Sequence, residues 1–377
     1  MKQTSINMKI VFAGDFSTQN RLEGLDRIDI KQPNGESFYF KDYTVVNYES
    51  PLATDGQPIK KIGPNLYNSV LSVRALKGIG VDLVTLANNH FRDYGEEGCL
   101  ETIKECKRNG IAYVGGGKQE EAGRSYLIIN DGLKIGIINV CENEFSSCSN
   151  KRAGSHGFDI IDVYDDIQSI RGQVDYVVVI HHGGVEHHQL PTPRMKKVFR
   201  HLIDVGADII INHHQHCYSG WECYKNGLIF YGLGNFLFDA PWSNVPETWY
   251  YGYMVRVSFS EKLNFEIIPY KQCKEEPIVQ LLPSNSFEER INELNEIILD
   301  DKKLEDEFTN FVMKKKFPLS PMLPYHNHYL RALYHRRWLP DLIPEQNKLE
   351  ILNWARCESL HECQVRYLEE QLKKELT

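Results

Sequence analysis

No stretch of the 377-residue sequence approaches the roughly 18 uninterrupted apolar residues of a membrane-spanning helix, and Met1–Ile10 carries no apolar run ahead of the first strand pattern. The expectation is a soluble cytoplasmic protein with no membrane span and no export signal. Basic residues are also scarce: 43 Lys and Arg stand against 51 Asp and Glu, a formal net charge of −8. Without a basic surplus, nucleic acid and anionic membrane surfaces are disfavoured as partners. The nine cysteines never form a CxxC pair and read as reduced thiols, since a chain of this length needs no disulfides to build a core. Internal repeats and low-complexity segments are missing too.

What is present is a series of short apolar runs that end abruptly in polar side chains. Ile10–Ala13 ends in Gly14-Asp15, Tyr43–Val46 in Asn47-Tyr48-Glu49, and Val81–Leu86 in Asn88-Asn89-His90. Val174–Ile180 ends in His181-His182, and Asp208–Ile211 in Asn212-His213-His214-Gln215-His216. Helical spacing lies between them, at Asn68–Gly78, at Glu96–Asn109 with Gly110 placed as its C-cap, and at Thr192–Val205. Ser125–Asn130 and Leu133–Val140 read as a hairpin about Asp131-Gly132. Alternating strands and helices predict an α/β protein, and the strand-rich second half predicts two sheets rather than one.

Apolar parallel strands place their last side chains at the carboxyl edge of a sheet, where open α/β folds gather ligands. Five such ends supplying Asp15, Asn47 and Glu49, Asn89 and His90, His181, then His214 and His216 predict a binuclear metal site. Two ions sharing a carboxylate favour hard oxygen ligands and neutral imidazoles, and they suit in-line displacement at phosphorus. Taken singly, Asp15 also suits a turn or cap, Glu49 a solvated surface, His181 a satisfied core position and Asn88 a helix cap.

In combination Gly14-Asp15, Asn47-Tyr48-Glu49, Asn88-Asn89-His90 with Asp93 and Gly95, His181-His182-Gly183, His213-His214-Gln215-His216 and Gly234-Asn235-Phe236 resemble the signature blocks of the CapA family of capsule and poly-γ-glutamate synthesis proteins. That family is similar in fold to calcineurin-like metallophosphatases. The resemblance runs from Lys9 to Tyr270. It implies a four-layer αββα sandwich over residues 1–282; it does not cover the residues after Pro283, where helical spacing predicts a helical extension over 283–377. It also implies a metal-dependent hydrolase of phosphoesterase type, with a metal-bridging hydroxide as nucleophile, acting in capsule or cell-surface polymer synthesis. A non-catalytic metal- or polymer-binding accessory protein is the alternative.

The ligands carried over are Asp15 and His216 for a first divalent ion, Glu49 as the bridge, and Asn89, His181 and His214 for a second, the metal being Mn, Fe, Mg or Zn. His90 falls at the leaving-group acid with Asp93 orienting it, and Arg92, Glu186 and Asn235 fall among substrate contacts, Arg92 as phosphate partner. Calcineurin-like enzymes usually have a His two residues after the first Asp, where this chain has Ser17, and bridge with Asp, where this chain has the longer Glu49. The substrate expected is a phosphorylated or polymeric small molecule.

His182, His187, His188 and His213 read as outlying residues, and Trp221, Phe236 and Trp242 as core or pocket wall. Gly115-Gly116-Gly117 reads as a turn rather than a phosphate cradle. Beyond Pro283, helices are predicted from Ser286, as N-cap with Glu289, through Leu304–Val312, Tyr329–Trp338 and Leu349–Leu372, broken at Pro318, Pro321, Pro324, Pro340 and Pro344. Their apolar stripe suits self-packing, a homodimer, or a partner in the capsule machinery.

Overall fold

The computed structural model describes residues 8–53, 56–240, 244–260, 262–315, 328–340 and 343–376. Trp242 and the prolines Pro318, Pro321 and Pro324 lie outside them.

The strand Met8–Ser17 shows how the layers arise. Its Ile10 and Phe12 join an apolar cluster with Val179 and Ile210 of a second sheet, while Val11 and Ala13 join another with Val73, Leu76 and Ile103 of two helices. Successive side chains of a strand point to opposite faces, so a strand apolar at every position must be covered on both. Helices Ser72–Gly78 and Gly95–Asn109 cover the outside of the first sheet, and Ile160–Arg171 and Pro193–Asp204 cover the second. The order is helix, sheet, sheet, helix, the αββα arrangement that the family resemblance implies.

The larger sheet runs Ile30–Lys31, Val279–Leu281, Asn264–Gln272, Tyr251–Phe259, Met8–Ser17, Tyr43–Tyr48, Leu83–Thr85, Ala112–Val114, with Asn235–Phe238 also pairing Met8–Ser17. The smaller runs Trp221–Tyr224, Gly227–Phe230, Ile209–His213, Tyr176–His182, Leu133–Cys141, Tyr126–Asn130. The central strands of each sheet are parallel, which brings their polar carboxyl ends to one edge. No helix of the described residues is long and apolar enough to cross a membrane.

Local signals explain several boundaries. Gly110 ends its helix with φ +64°, and Asp131 and Gly132, at φ +49° and +90°, form the tight hairpin turn expected of that dipeptide. The Thr192 hydroxyl caps Pro193–Asp204 by accepting from Met195 N at 3.1 Å. Gly116-Gly117 forms a two-residue strand with Gly154–Ser155 rather than a turn. Ser286 does not cap the following helix, which starts at Glu288; its hydroxyl donates to Pro283 O instead.

The tail differs from expectation in a way that matters below. In place of one helix over 349–372 there are two, Glu345–Arg356 and Glu358–Leu376, hinged at Cys357 in extended conformation with no Gly or Pro to mark the break. The last helix packs its Leu360, Cys363 and Tyr367 with Phe308 and Val312 of helix Asp301–Lys315 and with Val185 of the core. Those residues of the apolar stripe are therefore occupied within the chain.

The break lets four consecutive core residues grip the tail. Glu142 accepts from Ser359 N at 3.2 Å and Oγ at 2.6 Å, and from Cys357 Sγ at 3.3 Å. Asn143 donates from N and Nδ2 to the Glu358 carboxylate, at 3.1 and 3.0 Å. Glu144 accepts from Asn353 Nδ2 at 3.0 Å, and the Arg356 guanidinium lies 4.5 Å from the Phe145 ring centre.

Two predictions follow from this packing. A Cβ on Gly14 would stand 1.8 Å from Gly234 O, where the strands Met8–Ser17 and Asn235–Phe238 converge, while one on Gly172 meets nothing within 4 Å. Urea denaturation should show Gly14→Ala destabilised by about 3 kcal/mol or more, and Gly172→Ala, at φ −76°, neutral or slightly stabilised. The second concerns Glu142, where burial and then the charge of Glu358 push the carboxyl from 4.5 to about 7, against the hydrogen bonds of Ser359 and Cys357. Because the docked state holds a proton that the undocked state releases, its stabilisation is full below pH 4.5 and lost as pH rises to about 7, a change of ~3 kcal/mol. Hydrogen exchange of amides 358–364, corrected for the intrinsic rate, should follow that slope, and Glu142→Gln should flatten it; an unchanged slope would assign it to another group.

Candidate metal centre

Asp15 ends the strand Met8–Ser17 opposite Asn47 and Asn235 of its two neighbours, after a bulge in the register. It is 1% exposed, and its Oδ1 accepts from Asn47 Nδ2 at 2.7 Å. Its Oδ2 lies 3.4 Å from His214 N and 3.4 Å from His216 Nδ1. His213 Nδ1 stands 3.3 Å from Oδ1, misaligned for a hydrogen bond.

Glu49 is fully buried, and neither carboxylate oxygen has a hydrogen-bond donor. Around its Oε1 stand His216 Nε2 at 3.7 Å and His182 Nε2 at 3.9 Å. Asp15, Glu49 and His216 together bring one ligand atom each within 4.8 Å of one another. Beside them lies a second group. His182 Nε2 is 3.1 Å from Asn89 Oδ1 and 3.2 Å from His214 Nδ1.

Strand parity corrects one ligand. His181 and His182 point to opposite faces: His181 bonds through Nδ1 to Asn212 Oδ1 at 2.7 Å, between the rings of Phe158 and Phe199. That is a satisfied core histidine. His182 is the imidazole turned toward Asn89 and His214, a place that spacing alone had assigned to His181. Asn235 is corrected as well. Its Oδ1 takes the Nδ1 proton of His216 at 2.9 Å and its Nδ2 donates to Trp249 O at 3.2 Å, so it orients His216 and leaves Nε2 to face Glu49.

Backbone strain accompanies the two imidazoles. His214 and His216 hold φ of +86° and +54°, conformations that cost side-chain-bearing residues of order 1 kcal/mol or more and persist where the surroundings enforce them. Strand Ile209–His213 and the paired residues Asp15 and Asn235 supply that enforcement.

Electrostatics show what the cluster needs. Burial raises the Glu49 carboxyl well above its ordinary value; His216 opposes this, while Asp15 and Glu186 add to it. Burial also resists ionisation of Asp15, but the close approach and charge of the His213 and His216 rings outweigh it and hold that carboxyl well below the usual range. For His216, burial is overcome by Glu49 and then Asp15, and the imidazole is raised to about 10. His214 is pushed to about 4, by burial first and by His216, and His182 also falls well below its ordinary value. The ionised Asp15 carboxylate thus faces one cationic imidazole, His216, with the Glu49 carboxyl pushed toward its neutral form beside them and neutral imidazoles on the flank. Such a donor set, with partnerless oxygens on Glu49, fits divalent cations with oxygen and nitrogen ligands.

On the cavity side, His90 Nδ1 meets Asp93 Oδ2 at 2.6 Å, and Lys61 Nζ reaches Asp93 Oδ1 at 2.6 Å and His90 Nδ1 at 3.0 Å. Asp93 is further fixed by Leu66 N at 2.8 Å. His90 is lowered by burial and then by Lys61. A cavity of about 360 Å³ opens here, lined by Asn89, His90, Glu186, His214 and His216, with Lys61 on its wall. Arg92 is off that wall. Its N–H donates to Ser146 Oγ at 3.1 Å, and burial and then Arg152 lower its guanidinium; two lysines for which the sequence offered no signal stand on the cavity wall instead, Lys61, bonded to Asp93, and Lys315.

Known proteins resemble this chain in sequence. Residues 9–240 match the model of the bacterial capsule synthesis protein family PGA_cap. The capsule biosynthesis protein CapA of Bacillus anthracis is 30% identical over 254 residues, 65% of this chain and 62% of its own. The PGA biosynthesis protein CapA of Bacillus subtilis (strain 168) is 31% identical over 241 residues, 62% of each chain. This chain thus spans about three fifths of the length of these relatives. A solved 5'-nucleotidase from Candida albicans overlays at 11% identity and a TM-score of 0.40, covering 84% of this chain and 59% of its own, a likeness too loose to bear on fold or chemistry. With the matched segment spanning more than half of the sequence, the chain belongs to the bacterial capsule synthesis protein family PGA_cap.

Proposed function

We propose that the chain is a metal-dependent phosphoesterase acting on a phosphorylated small molecule in capsule or poly-γ-glutamate synthesis. The observation that carries the reading is Glu49: a fully buried carboxylate with no protein donor, set between Asp15 with His216 on one side and His182 on the other, beside the His90–Asp93 pair. The process is taken from the names of the relatives, and the chemistry from the residues.

Asp15, Glu49 and His216 would hold one ion, and Glu49, Asn89, His182 and His214 a second. Bound divalent ions would supply Lewis acidity toward phosphoryl oxygens and a lowered pKa for water. The protein's own residues do the rest. Asp93 accepts from His90 Nδ1 and so orients the ring, whose doubly protonated form, stabilised by the Asp93 carboxylate, would give its Nε2 proton to a leaving oxygen and return to neutral imidazole, while the Lys61 ammonium favours an anionic ligand in the cavity.

Elemental analysis of untagged protein, reconstituted with manganese, should find close to two ions per chain, falling sharply in Glu49→Ala and His214→Ala. His181→Ala should retain its metal. Turnover of bis(p-nitrophenyl) phosphate should accompany the metal and drop about 10²- to 10⁴-fold in His90→Ala. Absence of stoichiometric metal after reconstitution would sink the reading, and stoichiometric metal without turnover would leave a metal-holding accessory role.

A further inference from the structure

We propose that the last two helices form a wall of the substrate cavity and that Leu360, with Asn353 beside it, limits the size of the phosphoester that enters. The inference rests on the phosphoesterase reading of the site. Its starting point is the cavity itself, about 360 Å³ and near the small end for ligand sites. From the core it is lined by His90, Glu186, His214 and His216, and from the tail by Asn353, Cys357 and Leu360. Those tail residues come from the end of helix Glu345–Arg356, the hinge, and the first turn of helix Glu358–Leu376.

The wall is built rather than incidental. Asn353 and Cys357 are 4% and 2% exposed, and Asn353 Oδ1 has no hydrogen-bond partner although its Nδ2 is held by Glu144. Glu142 to Phe145 each grip the tail, and Leu360 is seated against Val185, itself on the cavity wall. The adjoining Ser146 donates to Asn89 O at 2.7 Å and accepts from Arg92 N at 3.1 Å, so the gripping segment is continuous with the loop that carries His90. A side chain anchored on both sides behaves as a fixed boundary.

Everything in this wall lies beyond residue 240, where the family match ends. The metal-ligating residues proposed above belong to the shared core, whereas Asn353, Cys357 and Leu360 are an addition of the extension to the same cavity. Selection among phosphoesters by the size of their organic group is the property such a division places on the tail.

The test compares the full-length, manganese-reconstituted protein with Leu360→Trp and Leu360→Ala, reading dissociation constants for phenyl phosphate and 1-naphthyl phosphate by calorimetry, with metal content measured on each sample. Wild type should bind phenyl phosphate more tightly. Leu360→Trp should widen the naphthyl-to-phenyl ratio at least fivefold, and Leu360→Ala should narrow it at least fivefold. Asn353→Ala, which enlarges the same wall, should shift the ratio as Leu360→Ala does and serves if Leu360→Trp does not fold. A structural role alone would lower stability without moving the ratio in opposite directions. A ratio unchanged within twofold in all folded variants, or no binding of either ester by metal-loaded wild type, overturns the proposal. Turnover of bis(p-nitrophenyl) phosphate on the same samples reads hydrolysis separately: a shifting ratio without turnover overturns only the enzymatic reading, and turnover with a constant ratio overturns only the wall.

Discussion

Two buried carboxylates, Asp15 and Glu49, face one another through His216 with no Lys or Arg among the described residues bonded to either. Placing a charge in such a site costs several kcal/mol unless an opposite charge accompanies it. His216, raised to about 10 by these two groups, carries that charge as a proton in the protein alone. A divalent cation meets the same demand better, since it satisfies the two Glu49 oxygens that no protein donor reaches. The rest of the architecture can be understood as the means of holding that cluster open.

The parallel central strands of the two sheets bring their carboxyl ends to one edge, which concentrates ligands there. The left-handed backbone of His214 and His216 lets two residues of one short turn address different members of the cluster. Asn235 and Asn212 then settle which way imidazoles face: Asn235 turns His216 inward, and Asn212 ties His181 into the core. Glycine serves at Gly14, where any Cβ would strike Gly234 O and push Asp15 out of place. The core thus makes the cluster and most of the cavity wall, to which the extension adds Asn353, Cys357 and Leu360. Because Glu142 through Phe145 both hold the tail and lead into the segment contacting Asn89, the cavity wall and the cluster share one piece of backbone.

Much of this was legible in the residues alone. Apolar runs ending in Asp15, Glu49, Asn89, His214 and His216 announced strands with their ends at a common edge, because burial on both faces and sudden polarity at one end have no cheaper explanation. Gly110 and Asp131-Gly132 announced their cap and turn through local geometry that the residue types alone require. The sequence by itself determined the layered α/β architecture, the two-sheet core and the kinds of side chain at the site.

Tertiary structure decided the rest, for reasons of parity and distance. His181 and His182 are chemically identical neighbours, and only the register of Tyr176–His182 against Ile209–His213 determines which of them reaches Asn89. Arg92 and Lys61 are both cations near His90 in the fold, but Arg92 is only two positions away in sequence and points elsewhere, while Lys61 arrives from a loop 29 residues earlier. The hinge at Cys357 has no residue that favours a break; it exists because Glu142, 215 residues away, accepts from Ser359 and Cys357 there. Side-chain type is written locally. Which face a side chain takes, and what stands across from it, depends on strand pairing and on contacts between residues hundreds of positions apart.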